Sequence, residues 1–359
     1  MVYFEVLGQP ILVLGSLRRT NDLFDKRSNK YSDRPHFSMA VDHMKFDYGM
    51  ALFPYGQWWR RHRKTFHQHF NPTQIQKYNG VQIKEARMLL RRLLDSPDEF
   101  SHHIHHFTAA LIMNVCYGMT IRDTDNPYIF RAQQAAKGFA DAVVPGRYLV
   151  TTFPAMKYIP GWLPGTGWKK VGQRFAALNQ LVSRRPFDYV KEKIAPKAEG
   201  TAALSVASAL IDTLPAKDSP DREDEETIAR NTAAVSYLAG EDTVTTVFLT
   251  FFLVMCFYPE VQKKAQVELD QVLSGRLPEF NDRPSLPYIN AVILELHRWH
   301  PILPSAIPHC MSEEDEYDGY HIPKGTIVMG NSWSILQDPT VYEDPASFMP
   351  EMVSVRRSG

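Results

Sequence analysis

A long helical stretch with an interruption in its middle constrains this chain more than any other feature. Residues 224–258 begin with Asp224, Glu225 and Glu226, and a helix N-terminus favours such negative charge. The stretch stops before Pro259, which cannot continue a helix. In residues 247–258 only Thr250 is polar. A helix segment that is apolar all round belongs inside a large protein, and this one is too short to span a bilayer.

The interruption is the sequence Ala239-Gly240-Glu241-Asp242-Thr243. Gly240 weakens a helix by roughly 1 kcal/mol relative to alanine, and acids and hydroxyls are costly in a core unless each has a partner. One interpretation puts Glu241 and Asp242 on a solvated face, with the threonines bonded to carbonyls one turn earlier. The other lets a flat ligand approach the backbone at the small residues, while Asp242 and Thr243 handle protons beside it.

Length and composition narrow the class of protein. The chain has 359 residues, of which 44% are hydrophobic, enough for one large domain or two ordinary ones. Its 40 basic and 40 acidic side chains balance, so nothing indicates a nucleic-acid partner. The chain has three widely spaced cysteines, Cys116, Cys256 and Cys310, and this odd number indicates reduced thiols. Their spacing does not match a zinc-binding pattern. The sequence contains no signal peptide and no unbroken apolar run of bilayer length.

The order of elements predicts a mainly helical chain with a small sheet at each end. Residues 2–6 and 11–14 form a predicted hairpin, and residues 306–311, 317–322 and 326–329 are predicted strands. Helices are predicted between these two regions, among them residues 127–150 with Asn126 as the cap. Residues 151–170 are rich in proline and aromatic side chains, which suits a cover over a pocket, a contact with a membrane surface or a plain connector.

A basic, aromatic stretch lies at residues 55–64. On a helix Trp59 and Arg63 share a face, so an indole N–H and a guanidinium would grip one carboxylate. Arg60, Arg61 and Lys64 would lie on other faces. The alternative is an exposed arginine-rich helix with Trp58 or Trp59 buried. A basic helix would also suit acidic lipid or a partner protein.

Two further clusters allow more than one interpretation. His102 and His106 have the i, i+4 spacing of metal ligands, but no glutamate lies between them, so solvated histidines at a helix start are the favoured interpretation. Glu295 and Arg298 form an i, i+3 ion pair. If exposed this pair contributes little, and if buried it needs further partners.

Four ordered motifs resemble the cytochrome P450 superfamily, in particular its fungal microsomal branch. They are Trp59-x-x-x-Arg63, residues 239–243, Glu295-x-x-Arg298 and Phe348-Met-Pro-Glu351. The resemblance covers essentially the whole chain and implies one incomplete P450 domain, mainly α, over residues 1–359.

The same resemblance assigns roles to individual residues. Trp59, Arg63 and His309 would contact haem propionates, and Ala239 and Gly240 would lie over a haem face. Asp242 would relay protons and Thr243 would hydrogen-bond dioxygen, and both are the expected catalytic residues. Glu295 and Arg298 would form the structural ion pair behind the haem.

The function implied by the resemblance is that of a haem-thiolate monooxygenase inserting one oxygen atom into a small apolar substrate, in fungal secondary or xenobiotic metabolism. Its cofactor would be haem b, with electrons from NADPH through NADPH–cytochrome P450 reductase. Arg60, Arg61 and Lys64 would favour an acidic redox partner. The family lies on the cytosolic face of the endoplasmic reticulum membrane.

The chain also departs from the family pattern. The loop that carries the iron-ligating cysteine has no counterpart, and none of the three cysteines takes its place, so no metal ligand is assigned. Met352 stands where the family has an arginine, and no N-terminal membrane helix precedes the hairpin. The alternative function is therefore a catalytically inactive truncated fragment, soluble or aggregated. A metalloprotein built on His102 and His106 is a third, less favoured hypothesis.

Overall fold

The computed structural model describes residues 1–121, 126–194 and 204–355 and is mainly helical. The α-helices are α1 Leu17–Asn21, α2 Ser28–Tyr31, α3 Gln57–Phe70, α4 Asn79–Asp95, α5 Phe100–Tyr117, α6 Pro127–Ala142, α7 Leu149–Thr152, α8 Gly167–Ile194, α9 Val206–Asp212, α10 Arg222–Phe257, α11 Pro259–Leu273, α12 Pro287–Trp299, α13 Ser332–Leu336 and α14 Pro350–Val355. The strands are β1 Val2–Val6, β2 Gln9–Leu14, β3 His309–Cys310, β4 Asp315–Tyr317, β5 Tyr320–Ile322 and β6 Ile327–Gly330. The predicted fold class is confirmed.

Backbone contacts group the residues into two compact units. The helical unit comprises residues 33–242, and the sheet unit comprises residues 1–32 and 243–359. The boundary between them falls within α10.

The sheet unit joins strands from both ends of the chain. Its four-stranded sheet has the order β1-β2-β6-β3, with β2 and β6 parallel and Leu12 opposite Val328. The prediction of a separate sheet at each end is therefore wrong in its connectivity. The predicted single strand over residues 317–322 is two strands, because Asp318 and Gly319 adopt positive φ and form a turn. Leu12 and Leu14 alternate into the core, as the period of a strand requires.

The helical unit is built around α5 and the first part of α10. Small residues of α5, Ala109 and Ala110, and Ala233 of α10 belong to one buried cluster, so these helices contribute little side-chain bulk there. The predicted cap of α6 is confirmed, since the Asn126 side chain accepts a hydrogen bond from the Tyr128 N–H at 2.9 Å. The helix ends at Ala142, earlier than predicted.

The long helix α10 matches the predicted bounds to within two residues. Its apolar C-terminal part was expected to be buried, yet Phe251, Leu253 and Phe257 are exposed, the last by 69%. A window of α10 has a mean hydropathy of 1.4, and 28% of this window is buried. By length and composition alone the helix is long and apolar enough to cross a membrane. The search for an unbroken apolar run therefore did not detect α10 as a candidate span. Core helices of globular proteins also satisfy the criterion of length and mean hydropathy.

Candidate functional site

Trp59 and Arg63 lie one turn apart on α3, as the spacing predicts. The Arg63 side chain is exposed, and its guanidinium carbon lies 6.0 Å from the Phe66 ring centroid. Within the described part of the chain no carboxylate pairs with Arg63. This guanidinium therefore remains available for an anionic group beside the indole of Trp59.

The other basic residues of α3 have different surroundings. Arg61 donates to Asp224 at 2.8 Å and to Glu225 at 2.9 Å, both in the first turn of α10. These hydrogen bonds raise the pKa of Arg61. Arg60 stacks over Tyr55, with 4.9 Å between guanidinium carbon and ring centroid. Arg61 is thus engaged within the fold, which removes it from the predicted surface for an acidic partner.

The interruption of α10 faces α5 and α6 at two of its residues. Glu241 is 1% exposed, so the solvated-face interpretation is wrong for this residue, whereas Asp242 is exposed, as that interpretation expects. Its Oε1 atom accepts a hydrogen bond from Nε2 of Gln133 at 3.3 Å and lies 3.9 Å from Nδ1 of His105. A Cβ atom on Gly240 would lie 3.1 Å from Cδ1 of Ile112. Close packing of α10 against α5 is therefore sufficient reason for this glycine.

Asp242 lines a cavity of about 670 Å³ in the helical unit. Burial, followed by the neighbouring charge of Glu241, raises the pKa of Asp242 from 3.8 to about 6. A carboxyl group with such a pKa exchanges protons near neutral pH, which suits proton transfer. The assigned roles of Asp242, Thr243, Ala239 and Gly240 toward oxygen and haem stay predictions.

Two of the four histidines of α5 are not solvated, which corrects part of the favoured interpretation of this stretch. His103 and His106 are buried, and only His102 is fully on the surface. His103 pairs with Ser96, and Nδ1 of His106 lies 2.5 Å from a guanidinium nitrogen of Arg92. Among the residues that the structure describes, no group of three His, Cys, Asp or Glu side chains is arranged to hold a metal ion.

Glu295 and Arg298 form a buried, bidentate ion pair on α12 with distances of 2.6 and 2.7 Å. Arg298 also donates to the backbone carbonyls of Leu336, Pro345 and Ser347. The Met349 N–H donates to Glu295 Oε1 at 2.9 Å. Backbone groups thus supply the further partners that a buried pair needs, without an arginine at position 352.

His309 lies in β3 with its ring stacked on Phe24 at 4.3 Å between centroids. Its Nδ1–H donates to the Tyr31 carbonyl at 2.7 Å, which fixes the orientation of the ring. The Nε2 atom would donate to a carboxylate only when the imidazole carries its second proton. The predicted propionate contact of His309 stays a prediction.

The donors on the chain partly fit a haem group. An available guanidinium and an indole on one face of α3 suit a propionate carboxylate. Cys116 does not suit the iron, because complete burial raises the pKa of its thiol and disfavours the thiolate. Among the described residues, Trp59 and Arg63 therefore fit the periphery of the cofactor, and Cys116 does not fit its axial position.

Sequence reasoning missed His105 and Gln133 as partners of Glu241. His105 lies in the histidine-rich stretch that was considered only for metal binding, Gln133 belongs to no motif, and both are more than 100 residues away from Glu241 in the chain. The available signal was Glu241 itself, because an acid within an apolar helix must find donors.

Comparison with known proteins identifies relatives along almost the whole chain. The profile of the cytochrome P450 family matches residues 1–352. Cytochrome P450 monooxygenase COX2 of Coprinopsis cinerea is 46% identical over 98% of this chain and 66% of its own length. Tryptamine 4-monooxygenase of Psilocybe cyanescens is 36% identical over 98% of this chain and 68% of its own length. The chain spans about two thirds of the length of these curated relatives.

A solved structure is similar in fold. A zebra fish cytochrome P450 determined with progesterone superimposes with a TM-score of 0.79 at 21% identity. The superposition covers 98% of this chain and 79% of the other. At this identity the likeness concerns the fold alone.

Proposed function

Because this chain belongs to the cytochrome P450 family, we propose that the whole protein is a haem-thiolate monooxygenase that inserts one atom of O2 into a small apolar organic substrate. Electrons would come from NADPH through a cytochrome P450 reductase. The observation that carries the proposal is the family match over residues 1–352, together with relatives that are named as monooxygenases. Bound haem supplies the activation of dioxygen.

The chain's own residues have distinct tasks in this proposal. Trp59 and Arg63 bind and orient the propionate side of haem b, with His309 as a further contact. Ala239 and Gly240 have little or no side chain and so leave space for the cofactor beside α10. Asp242 holds a proton at its carboxyl oxygen and Thr243 passes it on through its hydroxyl. Glu295 and Arg298 fix α12.

The test begins with haem binding by the 359-residue chain, measured by titrating haem and recording the Soret band. Arg63→Leu is expected to weaken binding by about tenfold or more, because a charge-assisted hydrogen bond is lost. Arg60→Leu on the same helix is the matched control and is expected to leave affinity unchanged. Equal effects of the two substitutions would contradict the assignment of Arg63.

The thiolate ligand is tested separately by the carbon monoxide difference spectrum of the reduced, haem-loaded chain. The absence of a thiolate-type Soret band is expected for this chain, because burial disfavours the Cys116 thiolate and because Cys256 and Cys310 lie in α10 and β3 and not in a loop of the family's ligand type. A longer gene product that includes that loop is expected to give the thiolate band and NADPH-dependent oxygenation with a reductase. Failure of the longer product to do both would refute the proposed function.

Two surfaces suit the proposed surroundings at the endoplasmic reticulum membrane. Tyr158 and Trp162 are 78% and 81% exposed in the segment after α7, and Lys157 lies beside them. Aromatic rings with a nearby cation favour a lipid interface. For the reductase, Arg60 and Lys64 remain exposed on α3. Replacement of Trp162 by alanine is expected to reduce sedimentation with anionic phospholipid vesicles, with replacement of Trp333, exposed in the sheet unit, as the control.

A further inference from the structure

A second cavity of the helical unit, of about 320 Å³, is lined by charged and polar side chains. It lies between residues 45–48, the start of α3, α8 and the early part of α10. Lys45, Arg184 and Arg230 line it, and Asp47 is the only acid among its lining residues that the structure describes. Three cations against one carboxylate leave two positive charges unbalanced at this cavity.

The acids that precede this cavity along α10 are bound to other cations. Asp224 and Glu225 accept hydrogen bonds from Arg61 of α3 at 2.8 and 2.9 Å. Glu226 accepts a hydrogen bond from Nζ of Lys191 at 2.5 Å. These three carboxylates are therefore engaged elsewhere and do not serve as counter-ions inside the cavity.

The three cations of the cavity have no such partner. In the described part of the chain no carboxylate forms an ion pair with Lys45, Arg184 or Arg230, and Arg230 donates to Oγ1 of Thr227 at 3.3 Å. Burial, followed by the charge of Arg184, lowers the pKa of Arg230, and nearby carboxylates oppose this effect without cancelling it. Like charges that line one space repel each other. An anion between the two guanidinium groups would remove this repulsion.

Uncharged donors belong to the same lining. Ser183 of α8 and Asn231 of α10 are only 7% and 6% exposed, yet both line the cavity. The Asn231 amide donates to Nε2 of His62 at 3.2 Å, because Nδ1 of that ring donates to the Trp58 carbonyl. An amide group carries two N–H donors, so Asn231 has a second one for a ligand.

We propose that this cavity binds the dianionic phosphate group of a phosphate monoester. Arg184 and Arg230 have the forked donors that match phosphate oxygens, and Lys45 adds a point charge. A dianion balances the two positive charges, whereas a monocarboxylate leaves one unbalanced. Lys45 and Arg184 are exposed and Arg230 is partly buried, so the cations are open to a ligand from solution.

The size of the cavity limits the rest of the ligand. Small-molecule sites have volumes of roughly 300–1,000 Å³, so this one takes a phosphate with a small organic group. Trp58 lines the cavity and offers that group an aromatic surface. The proposal is independent of the monooxygenase function, because neither haem nor a covalent step takes part in binding.

The first experiment titrates phenyl phosphate into the 359-residue chain by calorimetry at pH 7.5 and low ionic strength, where the monoester is a dianion. One-to-one binding is expected. R184Q and R230Q should each weaken it about tenfold or more, because each removes charge-assisted hydrogen bonds. R185Q is the matched control, since Arg185 is the next residue of α8, is exposed and does not line the cavity. No binding by the wild type, or equal losses in R184Q and R185Q, would overturn the proposal.

A substitution that strengthens binding guards against misfolded variants. D47N removes the acid from the lining and should raise the affinity for phenyl phosphate about two- to fivefold, because Asp47 is exposed and its repulsion is partly screened. A variant that binds more tightly is also folded. An unchanged or lower affinity of D47N would contradict the position of the phosphate group.

Two further probes define the chemistry of the ligand. Benzoate, a monoanion, is expected to bind about tenfold or more weakly than phenyl phosphate, and equal affinities would refute the preference for a dianion. Phosphatidylcholine vesicles with and without phosphatidic acid present the same monoester on a lipid. Sedimentation that requires phosphatidic acid and is lost in R184Q but not in R185Q would assign the site to a lipid headgroup. Binding of phenyl phosphate without such sedimentation would assign it to a soluble ester.

Discussion

Loss of Arg298 is expected to be the most destabilising single change at the site. The guanidinium makes five hydrogen bonds, two to the Glu295 carboxylate and three to the carbonyls of Leu336, Pro345 and Ser347. Arg298→Leu leaves a buried carboxylate without its counter-ion, which costs about 3–5 kcal/mol. Three carbonyls lose their donor as well, and this places the expected loss at the upper end of that range.

A loss of this size is a large part of the total stability of an ordinary domain, which is about 5–15 kcal/mol. Urea unfolding followed by circular dichroism measures it, and the midpoint of Arg298→Leu should fall sharply or folding should fail. Arg276→Leu, which breaks an exposed ion pair with Asp282, is the control and should leave the midpoint nearly unchanged.

The double variant E295L/R298L distinguishes an unpaired charge from lost packing. Removal of both charges should restore much of the stability lost in Arg298→Leu, because no buried charge is then uncompensated. A cost below about 1 kcal/mol for Arg298→Leu, or a double variant no more stable than the single one, would refute the reasoning.

Two further changes test α10. Gly240→Ala adds helix propensity of about 1 kcal/mol but crowds Ile112, so we expect no net gain in the free energy of unfolding. The additional change Ile112→Val removes the crowding and should raise the free energy of unfolding, as measured by urea unfolding. Simple additivity of these two changes would contradict the close contact. Asp242→Asn should stabilise the fold above pH 6, because the raised folded pKa of about 6 makes ionised Asp242 unfavourable, whereas below pH 4 the carboxyl is protonated in both states. The full pKa shift of Asp242 corresponds to roughly 3 kcal/mol of unfolding free energy, reduced to about 1 by water in the cavity. Thermal unfolding from pH 4 to 7 measures the difference in stability between Asp242→Asn and the wild type. Asp218→Asn, at an exposed position, is the control. An effect of Asp242→Asn that does not change with pH would exclude this explanation.

Local signals predicted the elements well. The bounds of α10, the Asn126 cap of α6 and the opening hairpin follow from caps, prolines and alternation, which act over a few residues. The i, i+3 pair of Glu295 and Arg298 was also readable. Its carbonyl partners were not, because they come from the end of α13 and from the loop after it, whose path only the fold determines.

The histidines of α5 show why burial could not be predicted. A run of polar residues at a helix start normally faces water, and His102 does so. His106 and His103 are covered because α4 packs on α5 and brings Arg92 and Ser96 against them. The position of a neighbouring helix is long-range information, and no pattern within residues 100–117 contains it.

The residues of the interruption in α10 contact different neighbours on different sides of the helix. Successive residues of an α-helix point about 100° apart, so neighbouring positions serve different neighbours. Gly240 accommodates Ile112, Glu241 faces Gln133 and His105, and Asp242 lines the cavity. The choice between a solvated face and a ligand-facing one was therefore too narrow, since α5 and α6 occupy the intermediate directions. Thr243 is the next residue along the helix, and the resemblance places dioxygen beside it. Asp242 and Thr243 are adjacent, so a carboxyl group that exchanges protons near neutral pH stands one residue from the threonine hydroxyl.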